Sequence, residues 1–142
     1  MVKKEMPVEL LKNEQELVKK LGRRIRGKGD ATVSVLDMGC GTGRLAAYLR
    51  EEADCEVLGI DVMRDKIERA RRIRGRGVEF GVQSAEYMGL KDETFDFVVS
   101  LKVLHEIPHP EIALREAIRV LKNRGRILII DWIGGIAATK RH

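Results

Sequence analysis

The chain has 142 residues, of which 44% are hydrophobic and 35% charged, with a formal net charge of +5. That length and apolar content suit one core with helices on both faces of a sheet and exclude wholesale disorder. No apolar run approaches a membrane helix, the stretch from Met1 to Pro7 lacks the apolar core of a signal peptide, and Cys40 and Cys55 make no disulfide framework; a cytoplasmic protein without membrane contact is expected.

Many charges with few Asn and Gln is a composition common in proteins from hot environments. Basic residues cluster at Lys19, Lys20, Arg23, Arg24, Arg26 and Lys28, and again at Arg69, Arg71, Arg72, Arg74 and Arg76. Neither cluster is interleaved with aromatics for base stacking, so solvated helix faces are favoured over a phosphate-binding surface.

In chain order, Leu10, Leu11, Leu17, Val18, Leu21 and Ile25 recur at near-helical spacing and predict an amphipathic helix over 8–26. Glycines at 27 and 29 end it, and a first strand follows at 32–37. A helix is predicted from Gly43 to Glu52, a second strand from Glu56 to Ile60, and a charged helix from Arg64 to Arg74. The third strand runs from Val78 to Val82. A loop at 83–86 leads into a helical turn at 85–88, and Phe95 to Ser100 forms the fourth strand. Pro110 opens a helix to Leu121, Asn123-Arg124-Gly125 makes a turn, and Arg126 to Asp131 is the fifth strand. Short apolar strands alternating with helices predict a parallel α/β sheet.

Chemistry concentrates at Val35-Leu36-Asp37-Met38-Gly39-Cys40-Gly41-Thr42-Gly43. A buried strand ending in a carboxylate, a glycine turn and a helix start make a nucleotide-sized crevice at the carboxyl edge of the sheet. The second strand also ends in a carboxylate, Asp61, placed to accept both hydroxyls of a ribose. The third glycine comes one position too early for the dinucleotide fingerprint, and the phosphate loop G-x-x-x-x-G-K-[ST] is absent. Asp37 would repel a pyrophosphate and suits an amino-bearing ligand. Cys40 reads as a small packed residue of the turn. Between His105 and His109 lies Pro108, which spoils a helical metal pair, so no metal is expected.

The span 33–131 resembles the class I S-adenosylmethionine-dependent methyltransferases, in particular the group called methyltransferase domain 11. Val35 to Gly43 is similar to its first motif and Gly59-Ile60-Asp61 to its second-strand acid. Ser84-Ala85-Glu86 resembles the adenine loop, Phe95 to Ser100 the fourth strand, Leu104-His105-Glu106-Ile107 the loop beyond it, and 121–129 the turn into the fifth strand. The resemblance implies a three-layer α/β/α Rossmann-like core, a mainly parallel sheet of about five strands in the order 3-2-1-4-5. It implies S-adenosylmethionine as cofactor and S-adenosylhomocysteine as product. Gly39, Gly41 and Gly43 would approach the methionine and ribose, Asp37 the amino group, and Asp61 the ribose. Ser84, Ala85 and Glu86 would meet adenine. Met38, Val62 and Met63 would pack around the cofactor, and Ser100 and Leu101 would face the methyl group. His105 and Glu106 are the candidate general bases, imidazole being the side chain that titrates near neutral pH.

Three departures from the family pattern stand out. Ser84 replaces an acid in the adenine loop. Lys122 to Gly125 replaces a proline-glycine turn. After the fifth strand only a short tail, 132–142, remains where the family has a strand pair. The chain therefore reads as one cofactor-binding domain: a helical region at 1–30, a core at 31–131 and that tail. An apolar fifth-strand edge is a liability, so a second copy, a partner protein or the folded-back tail is expected to cover it. The expected acceptor is a small molecule, with RNA as a weaker second. The alternative is a cofactor-binding subunit without activity of its own.

Overall fold

The computed structural model describes residues 12–26, 32–74, 77–131 and 134–139. Residues 8–11 of the predicted first helix and the glycines at 27, 29 and 75 lie outside them. Five parallel strands, β1 (Ser34–Met38), β2 (Glu56–Asp61), β3 (Val78–Val82), β4 (Phe95–Leu101) and β5 (Leu121–Asp131), and an antiparallel β6 (Gly134–Thr139) form one sheet. Its order is β3-β2-β1-β4-β5-β6, so the expected 3-2-1-4-5 core is present, extended by one strand.

Alternate residues of each strand face opposite sides, and the sequence supplies an apolar set for both. Helices α1 (Lys12–Arg26), α2 (Arg44–Ala53) and α3 (Arg64–Arg74) cover one face. There Val18, Ile25, Leu45, Leu49, Ile67 and Ala70 pack on Val35, Val57, Phe80, Phe97, Val99 and Leu128. Helix α4 (Pro110–Val120) covers the other face with Ala113, Ala117 and Val120 against Leu36, Met38, Val98, Ile127 and Ile129. Pro110 starts α4 where its missing N–H costs nothing.

Three segments differ from expectation. The helical turn predicted at 85–88 is instead a tight turn closed by a bridge between Ser84 and Tyr87, with Ser84 Oγ accepting the Glu86 N–H at 3.0 Å. A serine hydroxyl competing for the local backbone explains why a helical turn does not form. Second, β5 begins directly at the end of α4. The turn predicted at 123–125 lies within β5 as an irregularity: the register to β4 shifts between Phe95 and Phe97, and Arg124 takes φ 68°. Third, the tail does not leave the fifth strand bare. It turns back as β6, pairing Arg126 with Thr139 through Asp131 with Gly134, and so satisfies the edge of β5 within the chain. Trp132, Ile133 and 140–142 lie outside the described residues.

Candidate cofactor site and the loops around it

At the carboxyl edge the chain leaves β1 through glycines in left-handed conformations, Gly39 at φ 79° and Gly43 at φ 83°. A Cβ at Gly39 would collide with the Val103 side chain, and one at Gly43 would stand 2.6 Å from Phe80 Cζ. Both positions need glycine for space as well as conformation. The turn is anchored to β2, since the N–H groups of Gly39 and Cys40 each donate to Ile60 O at 2.9 Å. Helix α3 staples it from the side: Arg74 Nε donates to Thr42 O at 3.0 Å, and Arg71 donates to Phe80 O at 2.8 Å. Two arginines of the second basic cluster are thus committed to the fold.

The two strand-end carboxylates sit in different environments. Asp61 is held from both sides, Oδ2 accepting the Gly41 N–H and Oδ1 the Met63 N–H, each at 2.9 Å. Each oxygen retains a second lone pair, so a hydroxyl can donate without breaking the arrangement. Asp37 is buried, and its Oδ2 has no hydrogen-bond partner. Burial, reinforced by the Asp61 charge, pushes its carboxyl up to about 7. An orphaned buried carboxylate is costly, and a cationic partner relieves it. The same burial and the same two acids push the Cys40 thiol well above its usual range, which leaves it unreactive.

A cleft of about 390 Å³ opens beside these groups, lined by Gly39, Asp61, Val62, Met63, Ser84, Ala85, Glu86 and Glu106 among the anticipated residues. Ile60, Lys66, Gln83, Ile107 and Pro108 complete the wall and were not anticipated. Gln83 was legible in principle, because it follows the end of β3 as Val62 follows β2. Asp37, Gly41 and Gly43 lie in the floor and turn behind the wall. Met38 is fully buried in the α4-side core. Val62 and Met63 are 63% and 47% exposed, an apolar lip suited to a flat ring. Ser100 is buried with its Oγ unpartnered. By register it faces the same side as Ile129, whereas Asp37 faces the side of Val99. The structure therefore sets Ser100 and Asp37 on opposite faces, and neither Ser100 nor Leu101 lines the cleft. A larger cavity, about 840 Å³, lies at the opposite edge of the sheet among Arg50, Glu56, Glu79 and Lys91, and gathers none of the anticipated residues.

Beyond β4 a short 3-10 turn, Leu104–Glu106, carries His105 and Glu106. His105 is tied to the end of β5: its N–H donates to Asp131 Oδ2 at 3.1 Å, and its Nδ1 lies 2.8 Å from Asp131 Oδ1. Glu106 Oε2 stands 3.7 Å from His105 Nε2. The Asp131 side chain is only 9% exposed. Asp131 was missed as a site residue, although the criterion that selected Asp37 and Asp61, an acid closing a buried strand, applies to it equally.

Residues 36–129 match the sequence profile of the family described as Methyltransferase domain. The chain belongs to that family. Methyltransferase GfsG of Streptomyces halstedii is 35% identical over 104 residues, covering 70% of this chain and 37% of the relative. The 2-methyl-6-phytyl-1,4-hydroquinone methyltransferase of Synechocystis is 30% identical over 101 residues, covering 70% of this chain and 32% of the relative. The chain thus spans well under half the length of these relatives. Among solved structures, a SAM-dependent methyltransferase from Aquifex aeolicus superposes with a TM-score of 0.69 at 28% identity, over 81% of this chain and 63% of that one.

The geometry fits the family's cofactor, S-adenosylmethionine, on the chain's own terms. Asp37 offers an uncompensated carboxylate to an ammonium group, Asp61 two oriented acceptors to a diol, and Val62 and Met63 an apolar face to a base. Ser84 spends one lone pair on Glu86 and still has a hydroxyl hydrogen to donate.

Proposed function

We propose that the chain binds S-adenosylmethionine in the cleft beside Asp61 and transfers its methyl group to a small-molecule acceptor, releasing S-adenosylhomocysteine. The observation that carries this reading is the pair of strand-end acids on either side of the glycine turn, one pre-organised by backbone N–H groups and the other buried without a partner. The hydroquinone acceptor in the name of the Synechocystis relative supports a small-molecule substrate. When bound, the sulfonium supplies an already activated methyl group, so the protein's work is alignment and exclusion of water. Asp61 fixes the ribose end and Asp37 the amino end. The glycine turn brings backbone close, and Val62, Met63 and Ala85 enclose the base. His105 and Glu106, on the opposite rim, are the groups able to take a proton from the acceptor.

No helix among the described residues is long and apolar enough to cross a membrane. A cytoplasmic location fits two free, buried cysteines. The association expected at the fifth strand moves outward with the sheet edge, to the open side of β6.

The deciding experiment is calorimetric titration of S-adenosylmethionine into the wild type and Asp61→Ala. Losing two charge-assisted bonds is expected to weaken binding about 100-fold. Unchanged affinity removes the site assignment. Transfer of a labelled methyl group by the chain alone separates an enzyme from a cofactor-binding subunit.

A further inference from the structure

We propose that His105 is the general base of the transfer, that Asp131 is its positioning residue, and that the acceptor is a hydroxyl compound methylated on oxygen. This rests on the methyl-transfer reading above and names its acceptor class.

The argument starts from which imidazole nitrogen is left to react. A carboxylate only accepts hydrogen bonds, so at 2.8 Å from Asp131 Oδ1 the Nδ1 atom carries the hydrogen. The lone pair is then on Nε2. Asp131 itself cannot swing: its second oxygen accepts the His105 N–H, and the residue is the last of β5, paired across to Gly134. One carboxylate therefore fixes both the backbone and the ring of His105, and with them the tautomer. Glu106 Oε2, 3.7 Å from Nε2, adds a negative charge where an imidazolium proton would appear. Glu106 is itself 70% exposed and accepts no bond that would orient it, which makes it the weaker base and the better counter-charge.

Such an oriented base is needed for one acceptor class more than the others. A neutral amine attacks with its own lone pair and sheds its proton afterwards, and a thiol ionises in water near neutral pH. An alcohol or phenol must lose its proton as the carbon–oxygen bond forms. In that step Nε2 takes the hydroxyl proton, the oxygen takes the methyl group, and the sulfonium departs as a neutral thioether. One positive charge enters and one leaves, carried first by sulfur and then by His105. The imidazolium then returns its proton to solvent, to which its side chain is 39% exposed.

The test has two arms. The first needs neither cofactor nor acceptor: nitrogen-15 NMR of the wild type is expected to show a neutral His105 protonated at Nδ1, with Asp131→Asn disturbing that preference and Asp131→Glu preserving it. A His105 protonated at Nε2 in the wild type overturns the proposal. In the second arm, methyl-labelled S-adenosylmethionine is offered with a hydroquinone, a glycoside, an alkylamine and a thiol. Label is expected in a methyl ether. His105→Gln should lower kcat about 100-fold and Asp131→Asn at least tenfold, at unchanged cofactor affinity, with Asp131→Glu recovering part of the loss. Label on nitrogen, sulfur or carbon alone, no methyl ether while the cofactor binds, or a His105→Gln enzyme within twofold of wild type each overturn it. If the cofactor does not bind, the methyl-transfer reading fails instead, and with it the acceptor assignment, while the NMR arm still decides the pairing of His105 with Asp131.

Discussion

Asp37 shows how far one buried carboxyl can shape binding. Its pKa of about 7 comes first from desolvation and then from Asp61, with Cys40 the other titratable neighbour on the turn. A carboxyl raised above its unfolded value favours the folded protein fully below about pH 4 and loses that contribution as pH climbs through 7. A cationic amino group reverses the preference, because it pairs with the ionised form. S-adenosylmethionine affinity is therefore expected to fall about tenfold per pH unit below 7 and to level off above it. Titrations at pH 6 in two buffers of different ionisation heat should register the release of a proton. Asp37→Asn should bind weakly and without this pH dependence, and a wild-type affinity flat from pH 5 to 8 would remove Asp37 from the ammonium contact. The sequence made Asp37 and Asp61 visible because each closes an apolar run next to a motif. It hid their difference, since burial and a missing partner are properties of the assembled sheet.

Among the elements, the connection between β3 and β4 depends most on another part of the chain. Arg119 of α4 donates to Met88 O at 2.9 Å and Leu90 O at 2.7 Å, and pairs with Asp92 at 2.7 Å. Glu116 grips Arg119 at 2.8 Å and accepts the Met88 N–H at 2.7 Å. Hydrogen bonding to Arg119 accordingly holds the Glu116 carboxyl below its ordinary value. Gln83 and Gly89 close the same segment with a bond of 2.9 Å. These bonds replace the helical turn expected there and hold Ser84, Ala85 and Glu86 at the cleft. Arg119→Ala leaves two carbonyls and an acid without their partner and is expected to cost about 1–3 kcal/mol, read as a lower urea midpoint. Cofactor affinity should weaken several-fold although Arg119 lies outside the cleft wall, and Arg119→Lys should restore part of both. Periodicity revealed the strands and helices because each repeats its apolar spacing. It was silent on a segment whose shape comes from two side chains about thirty positions away.

For the molecule as a whole, the sheet order and the division of helices followed from strand and helix alternation, which dictates parallel pairing and crossovers. The tail escaped that logic. Gly134-Gly135-Ile136-Ala137-Ala138-Thr139 has no alternation of its own, and its strand character comes from the open edge of β5 that it meets. Proline substitution at Ile136 and at Ala137 tests this. In an antiparallel ladder, adjacent residues point their N–H groups to opposite sides, so one of the two variants removes a bond to β5. That variant is expected to lose about 3 kcal/mol and to self-associate in light scattering, while its neighbour stays close to wild type. Equal behaviour of the two would dissolve the assigned pairing.

Asp131 stands where β5 ends and the hairpin to β6 begins, so the orientation of His105 is inherited from the margin of the sheet. Margins open before centres do. Asp37, Asp61 and the glycine turn belong to the middle strands and remain assembled after the margin has loosened. Heating such a molecule parts two capacities that a cold assay sees as one: it goes on holding its methyl donor after it has stopped using it.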